Sequence, residues 1–155
     1  MRLVVQRVSR ASVWWREEGG EQRRTIGRGL TVLVAAGEAS DEAGATRLAA
    51  KLAGLRIFPD AEGRFNLSLA DVGGEALVVS QFTLYADLSR GRRPGFTAAG
   101  DPARARALCD HFAAALAREG IPTQTGSFGA QMLVEIANDG PVTLVLSTDD
   151  WPTRV

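Results

Sequence analysis

Asn138-Asp139-Gly140-Pro141-Val142-Thr143 stands between two apolar runs, Met132 to Ala137 and Val142 to Leu146. Asn-Asp-Gly between such runs reads as a stiff hairpin turn joining two paired strands. Pro141 complicates that reading, because proline has no backbone N–H and a fixed φ and so cannot serve as an ordinary ladder residue. An X–Pro bond is held cis at a cost of only about 0.5–1 kcal/mol. A turn of this kind exposes the carbonyl oxygens of Gly140 and Pro141, with no side chain on Gly140 to cover them. Rigid turn and carbonyl-presenting element are both open, and either makes the end of the chain rich in strand.

The rest of the chain extends that pattern. Leu3 to Val8 alternates apolar and polar, Ala11 to Trp15 continues as strand, Glu17 to Gly20 turns, and Glu21 to Ile26 returns as a hairpin. Leu30 to Ala36 reads as a strand buried on both faces. Asp41 and Glu42 open a helix whose apolar stripe is Ala45, Leu48, Ala49 and Leu52. Leu55 to Phe58 reads as a short strand stopped by Pro59, Asp60 to Asn66 as a loop, and Ala76 to Phe82 as a second strongly apolar strand. Asp101-Pro102 starts a second helix with buried face Ala105, Leu108, Phe112, Ala115 and Leu116, closed by Arg118, Gly120 and Pro122. Strands, helix, strands, helix, strands is the order of an α+β fold. The expectation is a single domain over residues 1–155, with mixed, mostly antiparallel sheets packed with two main helices.

Composition narrows the chemistry. A chain of 155 residues is one domain by length, with 18 basic and 18 acidic residues, so no global field attracts a polyanion and any nucleic-acid contact needs a local cluster. The single cysteine, Cys109, excludes an internal disulfide and fits a reducing compartment. Arg2, Arg7 and Arg10 among alternating valines read as strand and not as a signal peptide. No apolar run reaches the roughly 20 residues of a membrane helix. A soluble, cytoplasmic protein without a membrane partner is expected.

Catalytic inventories come up short. One histidine, His111, and Cys109 both fall on the second helix, away from its main apolar line or at its edge; a solvated role is expected for His111, and the two cannot make a structural zinc site. A Ser–His–acid triad and a glycine-rich phosphate loop are not indicated, and no metal or cofactor is expected. Asp149-Asp150 is a carboxylate pair read as part of an exposed polar tail that also holds Trp151 and Pro152. Three stretches remain. Ser80-Gln81-Phe82-Thr83-Leu84-Tyr85 sets polar groups at the end of a buried strand, where sites are commonly built, although such groups also satisfy nearby backbone. Arg90-Gly91-Arg92-Arg93-Pro94-Gly95-Phe96 puts three guanidiniums in four positions, a compact phosphate-binding candidate or a solvated loop. Gly126-Ser127-Phe128-Gly129-Ala130-Gln131-Met132 lets backbone approach a ligand, and Phe128 and Met132 either flank a base or fill the core.

In this order, with the opening Met-Arg-Leu-Val-Val-Gln-Arg-Val and NDGPVT at 138–143, these stretches resemble the D-aminoacyl-tRNA deacylases over essentially the whole chain. The basic loop differs from a family segment that more often reads Lys-Gly-x-Arg-Pro-Ser-Phe, at Arg90 and Gly95, and the ending Ser147 to Trp151 is also unlike the family's. The resemblance implies a three-layer β-β-α sandwich and a cofactor-free carboxylic ester hydrolase. Such an enzyme frees tRNA from D-amino acids and from mischarged glycine, as proofreading in translation. It implies a homodimer in which a Gly–cisPro pair, here Gly140 and Pro141, faces Ser80, Gln81, Phe82 and Thr83 of the partner chain. Asn138, Thr143, Phe128, Ala130 and Met132 then belong to substrate binding and chiral selection, and Arg90, Arg92 and Arg93 to the tRNA near its aminoacylated 3′ end. In this family the terminal ribose 2′-hydroxyl is thought to assist hydrolysis, leaving Thr83 a positioning role. Two other classes fit the same residues: a non-enzymatic oligomeric module holding a metabolite between subunits, and a tRNA-binding accessory protein without turnover.

Overall fold

β1 (Arg2–Glu17) runs for 16 residues in a computed structural model that describes residues 1–149. Asp150, Trp151 and Pro152 lie outside the described residues. The second half of β1 turns at Glu18-Gly19 into β2 (Gly20–Ile26), pairing from Glu17 with Gly20 to Ala11 with Ile26, which is the hairpin the sequence predicts. Its first half, Arg2 to Val8, pairs antiparallel with β3 (Gly29–Ala35).

Helix α1 (Glu42–Ala53) starts where Asp41 Oδ1 accepts from the Gly44 N–H at 2.7 Å, and buries Ala45, Leu48, Ala49 and Leu52. The strand expected at Leu55 to Phe58 shrinks to β4 (Phe58–Pro59). The chain is still unwinding from the helix there, with the Leu55 N–H on Leu52 O and the Ile57 N–H on Leu55 O. β5 (Phe65–Leu67) pairs back onto β4 and takes the end of the expected loop. β6 (Glu75–Ser80) lies parallel to β3 and ends two residues earlier than expected. The chain instead tightens into a 3-10 turn, Phe82–Tyr85.

Helix α2 (Pro102–Arg118) is capped by the Asp101 carboxylate on the N–H groups of Ala103 and Arg104, with proline in its first turn. β7 (Thr123–Thr125) joins parallel to β6, and β8 (Met132–Ser147) returns along β1.

β8 corrects the hairpin reading. Both of its halves pair with β1, from Met132 opposite Trp15 to Ser147 opposite Arg2. Thr143 sits opposite Gln6 and Asn138 opposite Val8, so residues 139–142 all stand against Arg7. β1 offers one continuous edge on both sides of Arg7, so the chain keeps its direction and the proline is carried in a bulge, where a missing N–H interrupts no ladder.

Strand alternation sorts the core into layers. Leu3, Val5, Leu30, Val32, Val34, Ala76 and Val78 face α1 and α2, meeting Leu48, Leu52, Phe112 and Leu116. Leu77 and Val79 point to the other face, against Val8, Val13, Trp15 and Ile26 of the β1–β2 half. The result is the β-β-α sandwich, with β3 and β6 in its middle layer. Among the described residues no helix is long and apolar enough to cross a membrane.

Candidate active site

The middle layer delivers the polar strand end. The Gln81 N–H still bonds Val34 O at 2.8 Å, so the chain stays fixed to β3 one residue past β6. The turn then closes with the Leu84 N–H on Gln81 O at 3.1 Å and the Ala86 N–H on Thr83 O at 3.0 Å. The N–H groups of Phe82 and Thr83 precede the first of these bonds, and the turn itself supplies them no acceptor. Gln81 Nε2 donates to Thr83 Oγ1, so the threonine hydroxyl is met by an amide and not by a base.

A cleft of about 280 Å³ opens here. Val79, Ser80, Gln81 and Phe82 form one wall, and Phe128, Gly129, Ala130, Met132 and Val134 the other. The second wall is the start of β8 and the β7–β8 connection bent over the end of β6: the Gly126 N–H bonds Val78 O, and the Ala130 N–H bonds Ser127 O. A Cβ on Gly126 would stand 2.6 Å from Met132 Sδ, so glycine there is what admits the methionine. Arg106 of α2 holds Phe128 from behind, its guanidinium 4.9 Å from the ring centre and Nη2 donating to the Phe128 carbonyl. Beneath the cleft Cys109 is buried in the core of α2, not at its edge, and burial pushes its thiol up to about 12. His111 is also less solvated than expected, a partly buried bridge to Thr46 Oγ1 of α1 at 2.9 Å.

The basic loop meets the cleft wall through Phe96, which touches Phe82. Asp87 and Gly95 exchange two backbone hydrogen bonds, at 2.8 and 2.9 Å, and close the loop between them. Phe96 then meets Phe82 edge-on, while Arg90, Arg92 and Arg93 remain exposed. A Cβ on Gly95 would find nothing closer than Asp87 O at 3.9 Å, so the position has room for a Cβ.

The bulge lies elsewhere in the chain, and neither Gly140 nor Pro141 lines the cleft. Its base is stiff. Arg7 is only 6% exposed, donates to Ile57 O at 2.7 Å and pairs with Asp139 at 3.0 Å. Asn138 Nδ2 donates to Arg7 O and to Val142 O, spanning the bulge, and Gln6 donates to Thr143 Oγ1 at 3.2 Å. The Gly140–Pro141 peptide is cis, and both residues are exposed.

Of the residues singled out from the sequence, Ser80, Gln81, Phe82, Phe128, Ala130 and Met132 come together, with Thr83 one residue from the wall. Asn138, Gly140, Pro141 and Thr143 form a separate cluster. Sequence reasoning missed Arg106, whose helical position gives no sign of its reach to Phe128, and Phe96, which only its place at the end of the basic loop could have flagged. It also missed Asp149. That residue accepts from Tyr85 Oη at 2.8 Å and pairs with Arg2 at 3.5 Å, so it is no part of an exposed tail.

Comparison with known proteins gives a consistent result. The family model described as D-Tyr-tRNA(Tyr) deacylase matches residues 4–147. The chain is 57% identical over 148 residues to a D-aminoacyl-tRNA deacylase of Roseiflexus sp. (strain RS-1), covering 96% of this chain and 94% of that one. It is 56% identical over 144 residues to a D-aminoacyl-tRNA deacylase of Cereibacter sphaeroides (strain ATCC 17029 / ATH 2.4.9), covering 93% and 97%. Among solved structures it superposes on a protein titled c-Myc DNA Unwinding Element Binding Protein with TM-score 0.86 at 36% identity, covering 97% of this chain and 100% of that one. A probable eukaryotic D-amino acid tRNA deacylase superposes with TM-score 0.78 at 18% identity, covering 94% and 97%, a likeness of fold.

Proposed function

The chain belongs to the D-Tyr-tRNA(Tyr) deacylase family, a hydrolase whose activity is the cleavage of D-aminoacyl-tRNA in proofreading, and from that premise we propose how its residues carry out the reaction. The aminoacylated 3′ end enters the cleft with its terminal base against Phe128 and Met132. The ester carbonyl is held at the N–H groups of Phe82 and Thr83, which stabilise the oxyanion of the tetrahedral intermediate. One observation carries this reading: those two N–H groups stand at the start of a turn pinned at both ends, beside a wall of apolar side chains. The ester is already activated, so the ribose 2′-hydroxyl suffices to assist, and Ser80, Gln81 and Thr83 position the substrate.

Chirality is set by exclusion. The working unit is a homodimer in which Gly140 and Pro141 of the partner subunit reach the cleft and their carbonyl oxygens accept from the substrate's α-ammonium. Charge-assisted hydrogen bonds of this kind are roughly twice as strong as neutral ones. With ammonium and carbonyl fixed, an L side chain runs into the proline, a D side chain points out, and glycine has nothing to clash. A clash of about 4 kcal/mol gives roughly a thousandfold discrimination. Asn138 and Thr143 keep the bulge in shape, Arg90, Arg92 and Arg93 bind the acceptor phosphates, and the work is done in the cytoplasm. The stiff, outward-facing bulge supports this reading.

Purified protein incubated with D-Tyr-tRNA, Gly-tRNA and L-Tyr-tRNA, followed by release of free amino acid, tests it. The first two are expected to be hydrolysed and the third to persist. Equal rates on both enantiomers would overturn the chiral gate, and binding without release would leave an accessory tRNA binder.

A further inference from the structure

Tyr85 ends the 3-10 turn and is only 3% exposed. Its ring fills the space beside Gly37, where a Cβ would stand 2.6 Å from Tyr85 Cε1. Arg2, at the start of β1, lies with its guanidinium carbon 4.1 Å from the centre of that ring and donates from Nη1 to Leu84 O at 2.9 Å. Asp149, just past β8, accepts from Tyr85 Oη at 2.8 Å and stands 3.5 Å from Arg2 Nε. The carboxylate is itself held, with Ser147 Oγ donating to it and accepting from the Asp149 N–H at 3.0 Å. A closed circuit therefore runs from the Leu84 carbonyl through Arg2 and Asp149 to the Tyr85 hydroxyl. It joins the start of β1 and the end of β8 to the far end of the turn, while the near end is pinned to Val34 O.

We propose that Arg2, Tyr85 and Asp149 are positioning residues, a strap that fixes the far end of the Phe82–Tyr85 turn and so aims the N–H groups of Phe82 and Thr83. The function assigned here rests on the reading that these N–H groups receive the ester oxygen. None of the three side chains lines the cleft. They act by denying the turn the freedom to rotate its leading N–H groups away from the substrate, and catalytic hydrogen bonds are sensitive to small misplacements. A buried Tyr85 that served only to fill the core would need its ring and not its hydroxyl, and would need no carboxylate at 149.

The test separates these roles. Tyr85→Phe keeps the ring and removes the hydroxyl; Asp149→Asn keeps the shape and removes the charge facing Arg2, at a position that is itself partly exposed. Each is expected to lower kcat on D-Tyr-tRNA by about tenfold with KM changed by less than about twofold and the melting temperature lowered by only a few degrees. Asp149→Glu is expected to recover part of the loss. Hydrogen exchange at the Leu84 and Ala86 amides, whose bonds close the turn, is expected to quicken by about tenfold in both variants. An unchanged kcat, a loss carried by KM, or unchanged exchange at both amides would overturn the strap. If the unmodified protein fails to hydrolyse D-Tyr-tRNA, the functional reading falls by itself, and the exchange measurement still decides whether the strap holds the turn.

Discussion

The ring of Phe96 stands edge-on to the ring of Phe82, with centroids 5.0 Å apart and planes at 64°. Phe82 is 57% exposed, a large apolar side chain left open beside the cleft. This contact joins the loop that carries the arginines to the turn that carries the site. An aromatic pair of this geometry contributes about 0.5–1.5 kcal/mol beyond its buried area. Phe96→Ala is therefore expected to lower kcat/KM for D-Tyr-tRNA by about two- to tenfold, with little change in the melting temperature. Steady-state deacylation rates check this, and an unaltered kcat/KM would make the pair incidental.

Arg92 and Arg93 lie on the same loop, exposed, between the two ends that the Asp87–Gly95 bridge closes. Phosphate contacts release counterions, so each one lost flattens the salt dependence of binding, by about 0.7 in log–log slope on a single strand and about 0.9 on a duplex. The Arg92→Ala, Arg93→Ala double variant is expected to bind tRNA more weakly at low salt and to show a slope shallower by about 1–2. Binding measured across a salt series decides it, and an unchanged slope would assign the arginines another role.

The layers of the fold were legible because they follow from periodicity: alternation in β1, β3 and β6, and helical spacing under Asp41 and Asp101. The candidate site was legible as motifs, in that Ser80, Gln81 and Phe82 do share one cleft with Phe128, Gly129, Ala130 and Met132. What local patterns could not convey was pairing at long range. Asn138 to Thr143 has the residues of a hairpin turn, and only the pairing of β8 with β1 on both sides of Arg7 makes it a bulge. Likewise Asp149 reads as a solvated charge until Arg2 and Tyr85, remote in sequence, are brought against it.

Thr83 invites assignment as a nucleophile, yet its hydroxyl accepts from the Gln81 amide, and none of the cleft-lining residues is a base. An unassisted hydroxyl is a poor nucleophile. Thr83→Ala is expected to keep activity within about tenfold of the unmodified protein, because its backbone N–H is retained. Single-turnover hydrolysis of D-Tyr-tRNA measures this. Complete loss with folding and tRNA binding intact would indicate a covalent mechanism.

Tyr85 is the chain's only tyrosine, so the near-ultraviolet absorbance of tyrosinate reports on it alone. Burial, and after it the hydrogen bond to Asp149, push its pKa up to about 12. The neutral phenol is thus favoured in the folded state, and the stability it brings is complete below about pH 10, the unfolded value, and is lost as pH rises through 12. The native protein is expected to titrate near 12 and the denatured chain near 10. Asp149→Ala is expected to bring the native midpoint down without reaching the denatured value, because burial remains. A native midpoint equal to the denatured one would refute this environment for the phenol.

Gly140 has φ +123°, and a Cβ there would stand 2.8 Å from Val142 Cγ2 and 3.0 Å from Arg7 Nη2. Gly140→Ala therefore deforms the bulge, since Arg7 is held by Ile57 and Asp139 and cannot retreat. Ala130→Trp acts at the other cluster, placing an indole in a cleft of about 280 Å³. Each variant alone is expected to lose most activity on D-Tyr-tRNA. If every working site takes its cleft from one subunit and its bulge from the other, a mixed dimer of the two variants holds one intact site and one doubly damaged site. Random reassortment of equal amounts makes half the dimers mixed, so activity is expected to return to about a quarter of the unmodified level. Unfolding the two variants together, refolding them and assaying hydrolysis measures this, with each variant refolded alone as the control. Sites built within single subunits would give no recovery at any mixing ratio, and that result would end the cross-subunit account.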